Sequence, residues 1–191
     1  RDAINVYYET NSQKNPTSNF QWEFILVDDD QTKNAWCMPG GKIAFYSGIL
    51  PILKNQDGIA SVMGHEIAHA VARHSAERAS TAMVTDLGIM ALEQLVLGQR
   101  LPQAAGYVRQ FGLDLPFNRR QESEADYLGL IFSSLAGYDI NESYKVWERM
   151  KEDMGGSGPS EFFSTHPSPD NRIKKLKEWI PIVSKQYPVI G

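Results

Sequence analysis

Cysteine is almost absent: Cys37 is the single thiol in 191 residues. That excludes an internal disulfide framework and any zinc or iron–sulfur site built from several cysteines. We read Cys37 as a small buried hydrophobe. Neither sign of charge dominates, because 19 basic side chains against 23 acidic ones leave a formal net charge of −4. Such a balance offers no electrostatic footprint for nucleic acid. No apolar run is long enough to cross a bilayer. Histidine is scarce too, four in all, so any clustering of histidines is informative. What is present is ordinary for a folded protein. Hydrophobic residues at 42% can build a core at this length, and charged residues at 22% are too few for wholesale disorder. The length suits one domain over residues 1–191. The chain starts at Arg1, which we read as a processed or trimmed form, with any signal peptide, lipid or membrane anchor upstream out of view.

The pattern along the chain predicts a short helix within residues 1–15, a turn over 15–19 and a strand over 20–27. Asp28, Asp29 and Asp30 read as a solvated turn, since the spaced oxygen ligands and glycine of a calcium loop are missing. Residues 35–38, the turn Pro39-Gly40-Gly41 and residues 42–46 predict a hairpin. An amphipathic helix follows, capped by Asp57 and running to Arg78 or beyond, with Ile59, Val62, Met63, Ile67, Ala70 and Val71 on its apolar face. The apolar stretch 81–97 carries Asp86 and Glu93 and is too short and charged to span a bilayer. It stands as a core helix, a groove wall or an interfacial segment. Further helices are expected from Asn118 to near Gly137, from an Asp139 cap to about Met154, and from Asp170 to Ile180, with a flexible loop over 155–159. The fold class is α+β: a small N-terminal antiparallel or mixed sheet, then a mostly helical body.

Two of the four histidines fall in His65-Glu66-Ile67-Ala68-His69. Residues four apart on a helix stack on one face, so both imidazoles point the same way and can grip one zinc ion. Glu66 sits beside the first of them and can reach a water on that ion without being bound. Zinc lowers the pKa of the water toward about 7, and a carboxylate can then take its proton. A catalytic zinc takes three protein ligands and keeps a position open, so a third ligand must come from another element. His74 lies about 140° round the helix from His69 and reads as a surface or packing residue. On the helix expected from Asn118, Glu122 and Asp126 are four apart and share a face, while Glu124 falls about 200° from Glu122. One carboxylate of the pair can bind the metal while the other fixes a ligand histidine through its second nitrogen. Spacing alone leaves open whether Glu122 is a ligand or part of a solvated acidic face beside Arg119 and Arg120.

His65-Glu66-Ile67-Ala68-His69 followed by Glu122-Ser123-Glu124-Ala125-Asp126 resembles the H-E-x-x-H…E-x-x-A-D pattern of the HtpX and CAAX-prenyl-protease family of zinc metallopeptidases, which are gluzincins. Residues 34–43, Asn34-Ala35 through Pro39-Gly40-Gly41 to Ile43, are similar to that family's N-A-x-x-x-P-G-G-x-I hairpin. Ser164-Thr165-His166-Pro167-Ser168 with Arg172 resembles its late T-H-P…R segment. The blocks occur in the family's order over residues 34–172. They look most like the soluble, envelope-facing branch, which includes periplasmic BepA-like proteases and the catalytic domain of the mitochondrial Oma-type protease.

The resemblance implies a zincin-like fold with an active-site helix carrying the H-E-x-x-H. It implies one Zn2+ per chain held by His65, His69 and Glu122, Glu66 as general base and acid, and Asp126 as partner of a ligand histidine. Glu124 occupies a variable position and is expected at the surface. His166 has three readings: a turn histidine, a group over the metal that stabilises the oxyanion, or an occupant of the open metal position that holds the enzyme off. Arg172 aids the oxyanion or ties its loop down. The strand of Lys42, Ile43, Ala44, Phe45 and Tyr46 is assigned to holding extended substrate by backbone pairing. The expected function is a zinc metalloendopeptidase acting on unfolded or misassembled proteins of the cell envelope. The expected place is the periplasm or another envelope space, with membrane proximity through an unseen N-terminal anchor or the 81–97 segment. The alternative is a zinc-stabilised chaperone or assembly factor with little proteolysis.

Overall fold

The computed structural model describes residues 1–77, 80, 114–157, 162, 165–167 and 169–190. The 81–97 segment lies outside the described residues, as does most of the stretch that follows it. Helix α1 (Asp2–Thr10) leads to three strands, β1 (Glu23–Val27), β2 (Ala35–Met38) and β3 (Lys42–Tyr46). They form a mixed sheet in the order β1-β3-β2. β2 and β3 make the expected hairpin, with Ala35 opposite Phe45 and Met38 opposite Lys42. Its turn needs glycine. Gly40 and Gly41 have φ of 94° and 91°, and a Cβ on Gly41 would meet the Trp22 ring at 3.0 Å.

β1 runs parallel to β3, with Glu23 beside Lys42 and Val27 beside Tyr46. This corrects the assignment of Lys42, Ile43, Ala44, Phe45 and Tyr46 to an edge that pairs with substrate. β3 is the central strand, hydrogen-bonded along both sides, so it has no free backbone to offer. Its Ile43, Ala44 and Phe45 are core residues. The free edges among the described strands belong to β1 and β2. β1 leaves Phe24, Ile25 and Leu26 exposed, and β2 packs on the helix that carries the histidines.

After a tight turn (Ser47–Ile49) and the short α2 (Leu50–Leu53) comes α3 (Gln56–Val71). Its N-cap is Asn55, whose side chain accepts the Gly58 N–H at 2.8 Å. Asp57, expected as the cap, lies inside the first turn, and its carboxylate accepts the Asp139 backbone N–H at 3.0 Å. α3 ends at Val71, short of the expected Arg78, because Arg73 adopts φ 58°, which a right-handed helix cannot continue through. Helical geometry resumes at His74. The body is completed by α4 (Asp114–Leu135), α5 (Glu142–Ser157) and α6 (Pro169–Gln186). α5 carries Gly155 and Gly156 in its last turn, where a loop was expected; a glycine there costs only about 1 kcal/mol. α6 continues through Pro181, since burial of Ile180 and Val183 on either side outweighs one lost backbone bond.

α3 and α4 run antiparallel and nearly touch. A Cβ on Gly64 would meet the Gly129 carbonyl oxygen at 2.9 Å, and one on Gly129 would meet the His65 backbone nitrogen at 2.8 Å. Both obstacles are backbone, so a methyl group forces the helices apart. Gly129→Ala is expected to lower stability by about 1–3 kcal/mol, read as a reduced urea midpoint. An unchanged midpoint would contradict this close approach.

Candidate active site

The antiparallel register sets the site. Ser133 on α4 donates to the Ala60 carbonyl of α3 at 3.3 Å, Gly129 meets Gly64, Asp126 meets His65 and Glu122 meets His69. Two histidines one turn apart on α3 thus face two carboxylates one turn apart on α4. The Nε2 atoms of His65 and His69 are 3.0 Å apart. Glu122 reaches both, with Oε2 3.3 Å from His65 Nε2 and Oε1 3.1 Å from His69 Nε2. Asp126 Oδ1 lies 3.0 Å from His65 Nδ1, behind that ring.

His166 enters from the segment before α6. Its Nδ1 is 3.2 Å from His65 Nε2 and 3.0 Å from Glu122 Oε2, and its Nε2 is 3.2 Å from Glu66 Oε1. Its backbone N–H donates to the Phe162 carbonyl at 2.9 Å, and its ring stacks on Phe162 with centroids 4.4 Å apart. Arg172 of α6 lies behind the histidines and carboxylates of α3 and α4. Its guanidinium grips Asp126 with two bonds of 2.6 and 2.7 Å, reaches Glu122 Oε2 at 2.8 Å, and lies over the Trp147 ring at 3.7 Å.

All of these groups are buried, with Glu122 only 1% exposed. Burial alone would raise the Glu122 carboxyl, but Arg172 and the imidazoles of His166, His65 and His69 hold it far below the usual carboxylate range. Burial pushes His69 down to about 4, against the pull of Glu122. An ionised carboxylate and a neutral imidazole are the states that ligate a metal. For His166, burial acts downward but the Glu66 and Glu122 carboxylates win and raise it to about 9.

Two observations test whether a divalent metal fits. Ligand atoms of His65, His69, Glu122 and His166 lie within 4.8 Å of one another. The nearest separations, 3.0 to 3.3 Å, are close to the edge of about 3.4 Å of a tetrahedron with zinc-like bond lengths. Charge points the same way. Glu66, Glu122 and Asp126 are buried with Arg172 as their one permanent cation, so once the imidazoles are neutral, as ligation requires, two negative charges remain for a divalent cation to neutralise. The residues present fit such an ion.

Residues 6–180 match peptidase family M48. The chain belongs to this family. It is 45% identical over 166 residues to the mitochondrial metalloendopeptidase OMA1 of Schizosaccharomyces pombe, covering 86% of this chain and 48% of that protein. It is 30% identical over 184 residues to the human mitochondrial metalloendopeptidase OMA1, covering 91% and 35%. It is 31% identical over 185 residues to the beta-barrel assembly-enhancing protease of Escherichia coli, covering 90% and 36%. The M48 chain therefore spans less than half the length of these relatives.

Within this M48 fold, sequence reasoning misplaced one residue and overlooked another. His74 does not point away. It is 2% exposed, with Nδ1 2.9 Å from His69 Nδ1. The 140° offset assumed an unbroken helix, and the left-handed Arg73 removes that premise. No glycine or proline marks the break, so nothing in the sequence signals it. Trp147, which floors the guanidinium from α5, also carried no local signal. Glu124 is half exposed as expected, yet its Oε2 lies 3.4 Å from His74 Nε2. Cys37 is buried, and burial, with Glu66 nearby, pushes its thiol up to about 12, as suits an inert hydrophobe.

Asp126→Ala strips Arg172 and His65 of a buried partner. It is expected to cost about 3–5 kcal/mol in urea unfolding. A loss below about 1 kcal/mol would contradict the pairing described.

Proposed function

We propose that this M48 chain is a zinc metalloendopeptidase in which His65, His69 and Glu122 hold the ion and Glu66 is the general base and acid. The observation that carries the reading is the buried convergence of two imidazoles and a carboxylate from antiparallel helices, with Glu66 beside them on α3. Bound zinc would polarise the scissile carbonyl and make a water molecule more acidic. Glu66 takes a proton from that water as its oxygen bonds to the carbonyl carbon. It then delivers the proton to the amide nitrogen as the C–N bond breaks. Glu66 Oε1 is buried and faces only His166 Nε2, at 3.2 Å, so withdrawal of that ring leaves it able to accept a hydrogen bond from water. Asp126, itself held by Arg172, orients His65 through Nδ1.

His166 stands among the ligand atoms, where a fourth ligand would sit. We therefore favour the reading in which it occupies the open position and must withdraw before water and substrate enter. Extended substrate is assigned to the outer edge of β2, the strand packed on α3, in place of β3. Pairing with backbone tolerates many side chains and suits unfolded or misassembled polypeptides. We place the protein in an envelope or mitochondrial compartment, supported by relatives named for mitochondria and for beta-barrel assembly. Among the described residues no helix is long and apolar enough to cross a membrane.

Cleavage of an unfolded protein such as casein tests the reading. Glu66→Gln is expected to lower the rate about 10²–10⁴-fold while zinc stays bound. His166→Ala is expected to raise it. Full activity in Glu66→Gln would contradict the mechanism. A slower His166→Ala enzyme would assign His166 to the oxyanion instead. Helper activity that survives Glu66→Gln, with no cleavage by any form, would favour the chaperone alternative.

A further inference from the structure

His69 has two ring nitrogens with different tasks. Nε2 faces His65 Nε2 at 3.0 Å and Glu122 Oε1 at 3.1 Å, so its lone pair is the one aimed at the metal position. A neutral imidazole that ligates through Nε2 carries its proton on Nδ1. The atom facing Nδ1, at 2.9 Å, is His74 Nδ1. One of two facing nitrogens must donate and the other accept. His69 has to donate, so His74 accepts at Nδ1 and carries its own proton on Nε2. That nitrogen lies 3.4 Å from Glu124 Oε2, an oxygen of a group that only accepts when ionised. The proton assignments close without conflict.

We propose that His74 is a positioning residue: it fixes the tautomer and ring orientation of His69, with Glu124 anchoring it from the surface. The proposal rests on the metal-centre reading above. The placement is built, not incidental. His74 is buried, and Gln121 of α4 donates to its carbonyl at 3.4 Å and to Glu77 at 3.0 Å, which pins the helical turn 74–77 against α4. The two ligand histidines are thus held by unlike devices. His65 rests directly on the buried carboxylate of Asp126, whereas His69 reaches a half-exposed carboxylate through an intervening imidazole. Glu124 points away from Glu122 along α4, and His74 is what links it to the centre.

The test measures zinc dissociation constants by chelator competition on the full 191-residue chain, with the visible spectrum of the Co2+-loaded chain as a second readout. The variants are His74→Phe, His74→Asn and Glu124→Ala. His74→Phe fills the volume without an acceptor and is expected to weaken zinc about 10–100-fold and shift the Co2+ bands. His74→Asn can place its side-chain oxygen where Nδ1 was and is expected to stay within about threefold of the unsubstituted chain. Glu124→Ala, at a half-exposed position that does not threaten folding, is expected to weaken zinc about 3–10-fold.

A mere packing role predicts the reverse order, with His74→Phe retained and His74→Asn lost. That order would overturn the proposal. So would unchanged affinity and spectrum in Glu124→Ala, which is decisive even where His74→Phe does not fold. Failure of the unsubstituted chain to take up zinc or Co2+ would overturn the metal-centre reading itself, and this proposal with it.

Discussion

Four polar side chains from two helices can meet at one point only if the helices approach closely, and the Gly64–Gly129 contact is where they do. On α3 the histidines are one turn apart; on α4 the carboxylates are one turn apart. Antiparallel packing turns these equal spacings into facing pairs, His65 with Asp126 and His69 with Glu122. A side chain at either glycine would widen the seam at the level of His65. The other elements serve this seam: α6 brings Arg172, α5 puts Trp147 beneath it, and the sheet lays β2 along α3.

Closing that seam removes water from ionised groups, which is costly unless each is paired. Arg172 meets part of the cost by holding Asp126 and Glu122 together. Glu66 remains, and with it the excess negative charge that makes a divalent ion a natural occupant. His166 lies against both Glu66 and Glu122 and shares in that balance. Its place in the cluster and its proposed withdrawal are therefore linked: whatever draws His166 out leaves the carboxylates facing the ion and incoming water.

How much of this was legible depended on how local each feature is. The four-residue spacings of His65–His69 and Glu122–Asp126 are properties of single helices, and the sequence displays them. The hairpin of β2 and β3 is equally local, since Pro39-Gly40-Gly41 demands it. The order of strands is not local. β1 joins β3 in parallel from an earlier part of the chain, and nothing within residues 20–27 names its partner or leaves a mark of its exposed edge. The hairpin alone leaves β3 with one unpaired side, and it is β1 that fills it. His74 was misread because a left-handed arginine ended α3 without a glycine to announce it. Arg172 was recognised by resemblance, but its partners lie 46 and 50 residues earlier on α4, a pairing that only the packed structure defines.

The central claim is that one metal ion belongs between α3 and α4. Its most direct test is metal content per chain, measured by plasma emission after chelation, zinc resupply and exhaustive dialysis. The unsubstituted chain and the double variant His65→Ala, His69→Ala are compared, with circular dichroism to verify that both are folded. The account predicts about one zinc per chain in the first and essentially none in the second. A folded, unsubstituted chain that holds no metal, or a double variant that holds as much, would contradict it.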